Sequence, residues 1–186
     1  GLDTWADEQT IREIYLKPFE IAVKESSAQV KYQAEDGSIQ TSTIGLNGIM
    51  SSYNRIGGVW AGGDWRVQTA VLRNEWGFQG AVITDFATIA SPYMVPMQGV
   101  AAGSDIQLTW RIFEKFKNTD NPAAVYFLRK AAHNVMFATA NSSSLNGYAY
   151  GAGTTWHAPW WRWVQWIGTA VFVALALFLI YWMVKR

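Results

Sequence analysis

The chain of 186 residues is half hydrophobic, only 16% charged, and nearly neutral at a net +1. That length suits about one domain, and the charge balance excludes a nucleic-acid binder, which needs a basic face to neutralise phosphates. The absence of Cys rules out a disulfide framework, a thiolate metal site and a Cys nucleophile.

Residues 4–25 predict a helix, because Ile11, Ile14, Tyr15 and Ala22 recur at helical spacing with Asp7, Glu8 and Arg12 on the other face. Pro18 lies inside that pattern and should break or kink it near Lys17. Residues 29–40 alternate around Glu35-Asp36-Gly37-Ser38, and Asp-Gly between alternating runs signals a hairpin. Gly48-Ile49-Met50 is a short apolar entry that ends in the polar cluster Ser51-Ser52-Tyr53-Asn54. Asp64 is suited to cap a helix reaching Trp76, with Val67, Val71 and Leu72 on its apolar face.

Gly77-Phe78-Gln79-Gly80 then leads into Ala81-Val82-Ile83, which stops at the carboxylate Asp85. A short apolar run bounded by glycines reads as a buried parallel strand. Functional groups of (β/α) barrels sit where such strands end, so Asp85 is the first candidate for catalysis. After a Pro-interrupted loop, residues 97–102 lead to Gly103-Ser104-Asp105-Ile106. Asp120 or Asn121 caps a last helix over residues 122–139, with Pro122 at its first position. Its expected apolar face is Val125, Leu128, Ala132, Val135 and Met136, with His133 packed among them. The order of elements predicts an α/β layout with parallel strands. There are too few strands to close an eight-stranded barrel.

Residues 164–184 contain no formal charge. At 1.5 Å per residue they reach roughly 30 Å, the thickness of a bilayer's hydrocarbon core. Trp160, Trp161, Trp163 and Trp166 gather at one end, with Tyr181 and Trp182 at the other, as in an aromatic belt. Lys185 and Arg186 outnumber Arg162, which predicts a cytoplasmic C-terminus and an extracytoplasmic folded part. The expected division is a folded unit over 1–145, a Gly-rich tether over 146–160 and an anchor over 161–186. The chain opens at Gly1 with neither an initiator Met nor a signal-peptide pattern, so a longer parent polypeptide is expected.

Four blocks resemble glycoside hydrolase family 3. Glu13-Ile14-Tyr15-Leu16-Lys17-Pro18-Phe19-Glu20 with Ala22-Val23-Lys24-Glu25 is similar to the helix preceding that family's active-site strands. Met50-Ser51-Ser52-Tyr53-Asn54, running to Gly58, resembles "M-x-S-Y-N-x-x-x-G". Leu72-Arg73-Asn74-Glu75-Trp76-Gly77-Phe78-Gln79-Gly80, followed by Val82-Ile83-Thr84-Asp85-Phe86, resembles "L-R-x-E-W-G-F-x-G-x-V-x-S-D-W". Ala102-Gly103-Ser104-Asp105-Ile106 resembles "A-G-x-D-M".

The resemblance implies the later part of a TIM-type (β/α) barrel, followed here by one transmembrane helix. It implies a retaining β-glycosidase, with Asp85 as nucleophile and a carbohydrate as substrate. Met50 and Tyr53 fall on positions lining the sugar subsite. Phe86 replaces the family's Trp, keeping a stacking face without the indole donor, and Thr84 replaces its Ser. Residues 26–48 form a hairpin insertion. The family's Lys-His pair, its sugar-binding Arg and its Glu acid/base fall outside this sequence. The expected partners are therefore the sugar, a membrane and an N-terminal part of the same polypeptide. A non-catalytic sugar-binding or scaffolding protein with a degenerate barrel is the alternative.

Other polar residues have structural readings. Asp64 and Asp120 read as caps, and Glu13, Glu20 and Glu25 as a solvated helix face. Asp105 is either active-site rim or turn former. Two separated His and no Cys give no metal constellation, and no glycine loop is followed by the Lys-Ser/Thr of a phosphate cradle, so no cofactor is expected.

Overall fold

The computed structural model describes residues 3–88, 91–110, 116, 119–142 and 157–185, in two units, Gly1–Gly147 and Tyr148–Arg186. The first unit mixes helices with three small sheets. The predicted tether falls largely on residues outside those described.

Strand β1 (Asp3–Thr4) precedes helix α1 (Glu8–Thr10), which continues as a π-wound turn, Ile11–Tyr15. The helix starts at Glu8 and not at residue 4, because Asp7 caps it by accepting the Thr10 N–H at 2.7 Å. Helix α2 (Lys17–Glu25) follows Leu16 with Pro18 in its first turn, so the proline starts a second helix where its missing N–H costs nothing. Strands β2 (Ser27–Gln33) and β3 (Ile39–Gly45) form the predicted hairpin, antiparallel with Val30 opposite Ser42. Its tip turns at Gly37, φ +83°, while Asp36 accepts the Ser38 N–H at 2.9 Å.

Strand β4 (Gly48–Met50) pairs in parallel with β7 (Ala81–Ile83), Ile49 opposite Val82 and Met50 opposite Ile83. Residues 105–109 continue the parallel arrangement beside β7. Ile106 N–H reaches the Val82 carbonyl at 3.0 Å and Thr84 N–H reaches the Ile106 carbonyl at 2.9 Å. Between β4 and β7 lie β5 (Arg55–Ile56) and β6 (Val59–Trp60), an antiparallel pair to which β1 adds in parallel. Two-residue strands carry no readable period, so this second sheet has no signature in the sequence pattern.

A helix with wide π-type winding, Arg66–Glu75, leads to β7. Asp64 receives the Arg66 N–H at 3.0 Å and pairs with its guanidinium at 2.7 Å, as befits a cap. The helix ends at Gly77, φ +77°, which lets Phe78 N–H return to the Leu72 carbonyl at 3.2 Å. A Cβ on Gly80 would strike the Asn47 carbonyl, which instead accepts the Ala81 N–H at 3.1 Å. Both glycines of the Gly-Phe-Gln-Gly turn thus have a steric reason.

Leu72, Phe78 and Val82 form one core cluster against Val23, Leu46, Ile49 and Trp76. Val82 and Thr84 are fully buried, so this face of β7 packs against the helices. Trp60, Ala87 and Met94 form a second cluster against Tyr53 and Tyr93.

Helix α3 (Pro96–Ala102) and α4 (Pro122–Ala140) complete the unit, and Asn121 caps α4 by accepting the Ala124 N–H at 2.8 Å. The buried stripe of α4 is Ala124, Ala131 and Asn134, while Val125, Met136 and His133 are exposed. The predicted apolar face was therefore rotated. Small residues bring α4 close to its neighbours, and Asn134 is drawn inward by Asp105.

In the second unit, α5 (Trp160–Lys185) is one helix of 26 residues, long and apolar enough to cross a membrane. Trp163 and Trp166 meet edge to face on it, with centroids 5.1 Å apart.

Candidate active site at the carboxyl ends of the parallel segments

Side chains alternate along a strand, so Ile83 and Asp85 share the face opposite Val82 and Thr84. Asp85 is half-buried there, just beyond β7, and its carboxylate accepts the Phe86 N–H at 2.6 Å. Thr84 points into the packed side, where its hydroxyl accepts the Leu108 N–H at 3.0 Å. A Ser hydroxyl could do the same, which explains why Thr is tolerated beside Asp85.

Met50 lies opposite Ile83 in register and is 53% exposed. It lines an apolar groove of about 480 Å³ with Ile11, Tyr15, Phe19 and Trp76. Ile49, Met50, Ser51 and Ser52 all border this groove. Consecutive residues point to opposite faces, so the groove runs along the edge of β4 that no described strand pairs.

Tyr53 packs elsewhere, on the second core cluster. Its ring meets Tyr93 edge to face at 6.1 Å, and its carbonyl accepts the Tyr93 hydroxyl at 3.0 Å. Arg55 lies over the Tyr93 ring, 4.5 Å from its centroid, and pairs with Asp3 at 3.2 Å. Burial pushes the Tyr93 phenol above its ordinary pKa. Tyr53, Asp85 and Asp3 add to that push, against the opposing pull of Arg55. Asp85 and Tyr53 are thus both electrostatic neighbours of one half-buried phenol.

Phe86 contacts Trp110, with centroids 5.9 Å apart and planes inclined at 60°. Ala87 bridges Thr109 in parallel, which brings residue 110 to the same end of the sheet.

Met50 and Asp85 therefore sit on one face, while Tyr53 and Tyr93 pack together on the cluster that contains Ala87, two residues beyond Asp85. Sequence reasoning missed Arg55, Tyr93 and Trp110. Arg55 sat inside a quoted motif block, but Tyr93 and Trp110 belong to loop-like stretches whose positions only tertiary pairing fixes.

Asp105, left open by the sequence, is structural. Its side chain is 2% exposed and accepts Arg73 Nη2 at 2.6 Å, the Val82 N–H at 2.8 Å and Asn134 Nδ2 at 2.8 Å. Burial nevertheless pushes its carboxyl above the usual range, against the pull of Arg73. Among the described residues, no group of three or more His, Asp or Glu is placed to hold a metal.

No protein-family model matches the chain. A β-glucosidase of Ruminococcus albus is 35% identical over 85 residues, which are 46% of this chain and 7% of that protein. A β-glucosidase of Rhizobium radiobacter is 36% identical over 107 residues, 56% of this chain and 10% of that protein. Among solved structures, β-glucosidase 3B from Thermotoga neapolitana, in complex with glucose, matches with a TM-score of 0.54 at 25% identity. The match covers 77% of this chain and 19% of that one. A GH3 β-glucosidase of Bifidobacterium adolescentis has the same fold over 82% of this chain and 20% of its own, with a TM-score of 0.54 at 22% identity. The chain is thus similar to β-glucosidases over about half its length in sequence and about four fifths in fold, and spans a tenth or less of those two curated relatives.

Proposed function

We propose that the chain supplies the nucleophile and part of the sugar subsite of a retaining β-glycosidase acting on β-linked glucose or a related sugar. Asp85 attacks the anomeric carbon as the bond to the leaving group breaks, and water then hydrolyses the glycosyl ester. The proton for the leaving group comes from an acid outside this sequence. Met50, Tyr53 and Phe86 line the subsite. The parallel segments form part of a (β/α) barrel completed by an N-terminal portion of the same polypeptide. The groove along β4 and the exposed Met50 support that reading, because an open edge and an open apolar face call for a neighbouring strand. Helix α5 spans the membrane, with the folded unit extracytoplasmic and the C-terminus cytoplasmic.

The observation that carries the proposal is the position of Asp85, two residues beyond a parallel strand and on the same face as Met50. The test is turnover of an aryl β-glucoside by the full-length protein, which Asp85→Asn should nearly abolish. An active protein that tolerates the substitution ends this reading.

A second reading, a sugar-binding or scaffolding membrane protein with a degenerate barrel, is favoured by Phe86 where the family pattern has Trp. It would be supported by sugar binding without turnover in the unaltered protein.

A further inference from the structure

We propose that Tyr93 is a positioning residue that locks the carboxyl end of β4 to the carboxyl end of β7, fixing Tyr53 relative to Asp85. This rests on the nucleophile reading above.

Tyr93 belongs to the segment that follows Asp85. Thr88 N–H donates to Ser91 Oγ at 2.7 Å, Ser91 Oγ donates back to the Thr88 carbonyl at 3.0 Å, and Met94 is buried against Trp60 and Ala87. The ring of Tyr93 is thereby delivered to a fixed place.

From that place it packs on the cluster of Trp60, Ala87 and Met94, while its hydroxyl and ring-face contacts fall on residues 53–55. The hydroxyl donates to the Tyr53 carbonyl, the ring meets the Tyr53 ring edge to face, and the ring face is covered by the Arg55 guanidinium. Arg55 is itself held by Asp3 on β1 and lies on β5, opposite Trp60. A ring serving only to fill the core would need no hydroxyl. Here the hydroxyl meets the main chain of a proposed subsite residue.

The pinned segment also has a second anchor, since Trp60 Nε1 donates to the Ser52 carbonyl at 3.2 Å. Ser52 and Tyr53 are therefore held from two directions by side chains of the second core cluster. Asp85 leaves the sheet from the neighbouring strand. The separation of Tyr53 and Asp85 is then set by Tyr93 and not by sheet hydrogen bonds, which end at Ser51 N–H to the Ile83 carbonyl, 2.8 Å. Small misplacements at a reacting centre cost large factors in rate.

The test uses the full-length protein carrying Tyr93→Phe, with active sites counted by a 2-fluoro glycoside that traps the ester. The expected result is a fall in kcat per counted site of about 10-fold, with KM within about twofold, because the change loosens geometry without removing a sugar contact. Arg55→Met, which keeps the stem and removes the cation, should act in the same direction. A purely structural role would lower the melting temperature and the number of countable sites while kcat per site stayed constant, and that result overturns the proposal while leaving Asp85 as nucleophile. A raised KM at unchanged kcat overturns it too. Absence of both turnover and trapping in the unaltered protein overturns the nucleophile reading and this inference with it.

Discussion

Met50 and Ile83 face each other across a parallel pair, so the side chain two residues beyond Ile83 projects from the same face as Met50. That side chain is Asp85. The same register sends Ile49 and Val82 to the opposite face, into the cluster with Leu72 and Phe78. One face of the parallel pair is thus closed by helices, while the other presents Met50 and the carboxylate.

The 186-residue chain by itself should show no turnover of aryl β-glucosides. It supplies a nucleophile but, in the proposed scheme, neither the acid that protonates the leaving group nor the remaining sugar contacts. Steady-state assay of the purified chain in detergent checks this. Turnover that disappears on Asp85→Ala would contradict it.

Helix α5 should hold the chain in membranes. An uncharged apolar stretch of this length is stable in a bilayer and resists extraction that strips peripheral proteins. The intact chain should remain in the pellet after a carbonate wash, and truncation before Trp160 should release the rest. Full recovery of the intact chain in the wash would contradict the span.

Asp105 should make stability depend on pH in an unusual direction. Burial raises its folded-state pKa above the unfolded value, so folding takes up a proton between the two. Its contribution is fully present below the ordinary Asp range and is lost as pH rises through the folded value. In urea unfolding of the chain in detergent, the advantage of the unaltered protein over Asp105→Asn should shrink as pH rises. Arg73 retains the Gly80 and Gly103 carbonyls in that variant, at 3.1 and 3.0 Å. An advantage that grows with pH would show that the ionised pair stabilises the fold. Asp105→Ala, which removes the acceptor of the Val82 N–H and of Asn134 and the counter-charge of Arg73, should cost about 3–5 kcal/mol.

Truncating Phe78 should cost about 3–5 kcal/mol, because it is 4% exposed at the junction of the π-wound helix and β7. The midpoint of urea unfolding measures this. A loss below 1 kcal/mol would mean that the turn, and not the core, fixes the entry to β7.

The hairpin and the cap of α4 were legible in the sequence because each rests on local chemistry. Asp36-Gly37 needs only its own turn, and Asn121-Pro122 only its own helix start. The strand Ala81–Ile83 before Asp85 was legible because its apolar run is bounded by glycine and stops short of a carboxylate. The sheet of β1, β5 and β6 was not, since its strands are two residues long and β1 runs into the first residue of the region read as helix. The inward face of α4 was misjudged because a buried Asn134, drawn in by Asp105, breaks the apolar period that would have announced it. Tyr93 was missed for a similar reason. Its partners lie about 40 residues earlier in the chain, and nothing local marks it.

The most direct test of the account is the identity of the residue esterified when the full-length protein reacts with a 2-fluoro β-glucoside. Peptide mass spectrometry should find the sugar on the peptide containing Asp85, and Asp85→Asn should remove it. A label on Asp64, Glu75 or Asp105, or on any residue outside this chain, would contradict the assignment of Asp85 as the nucleophile.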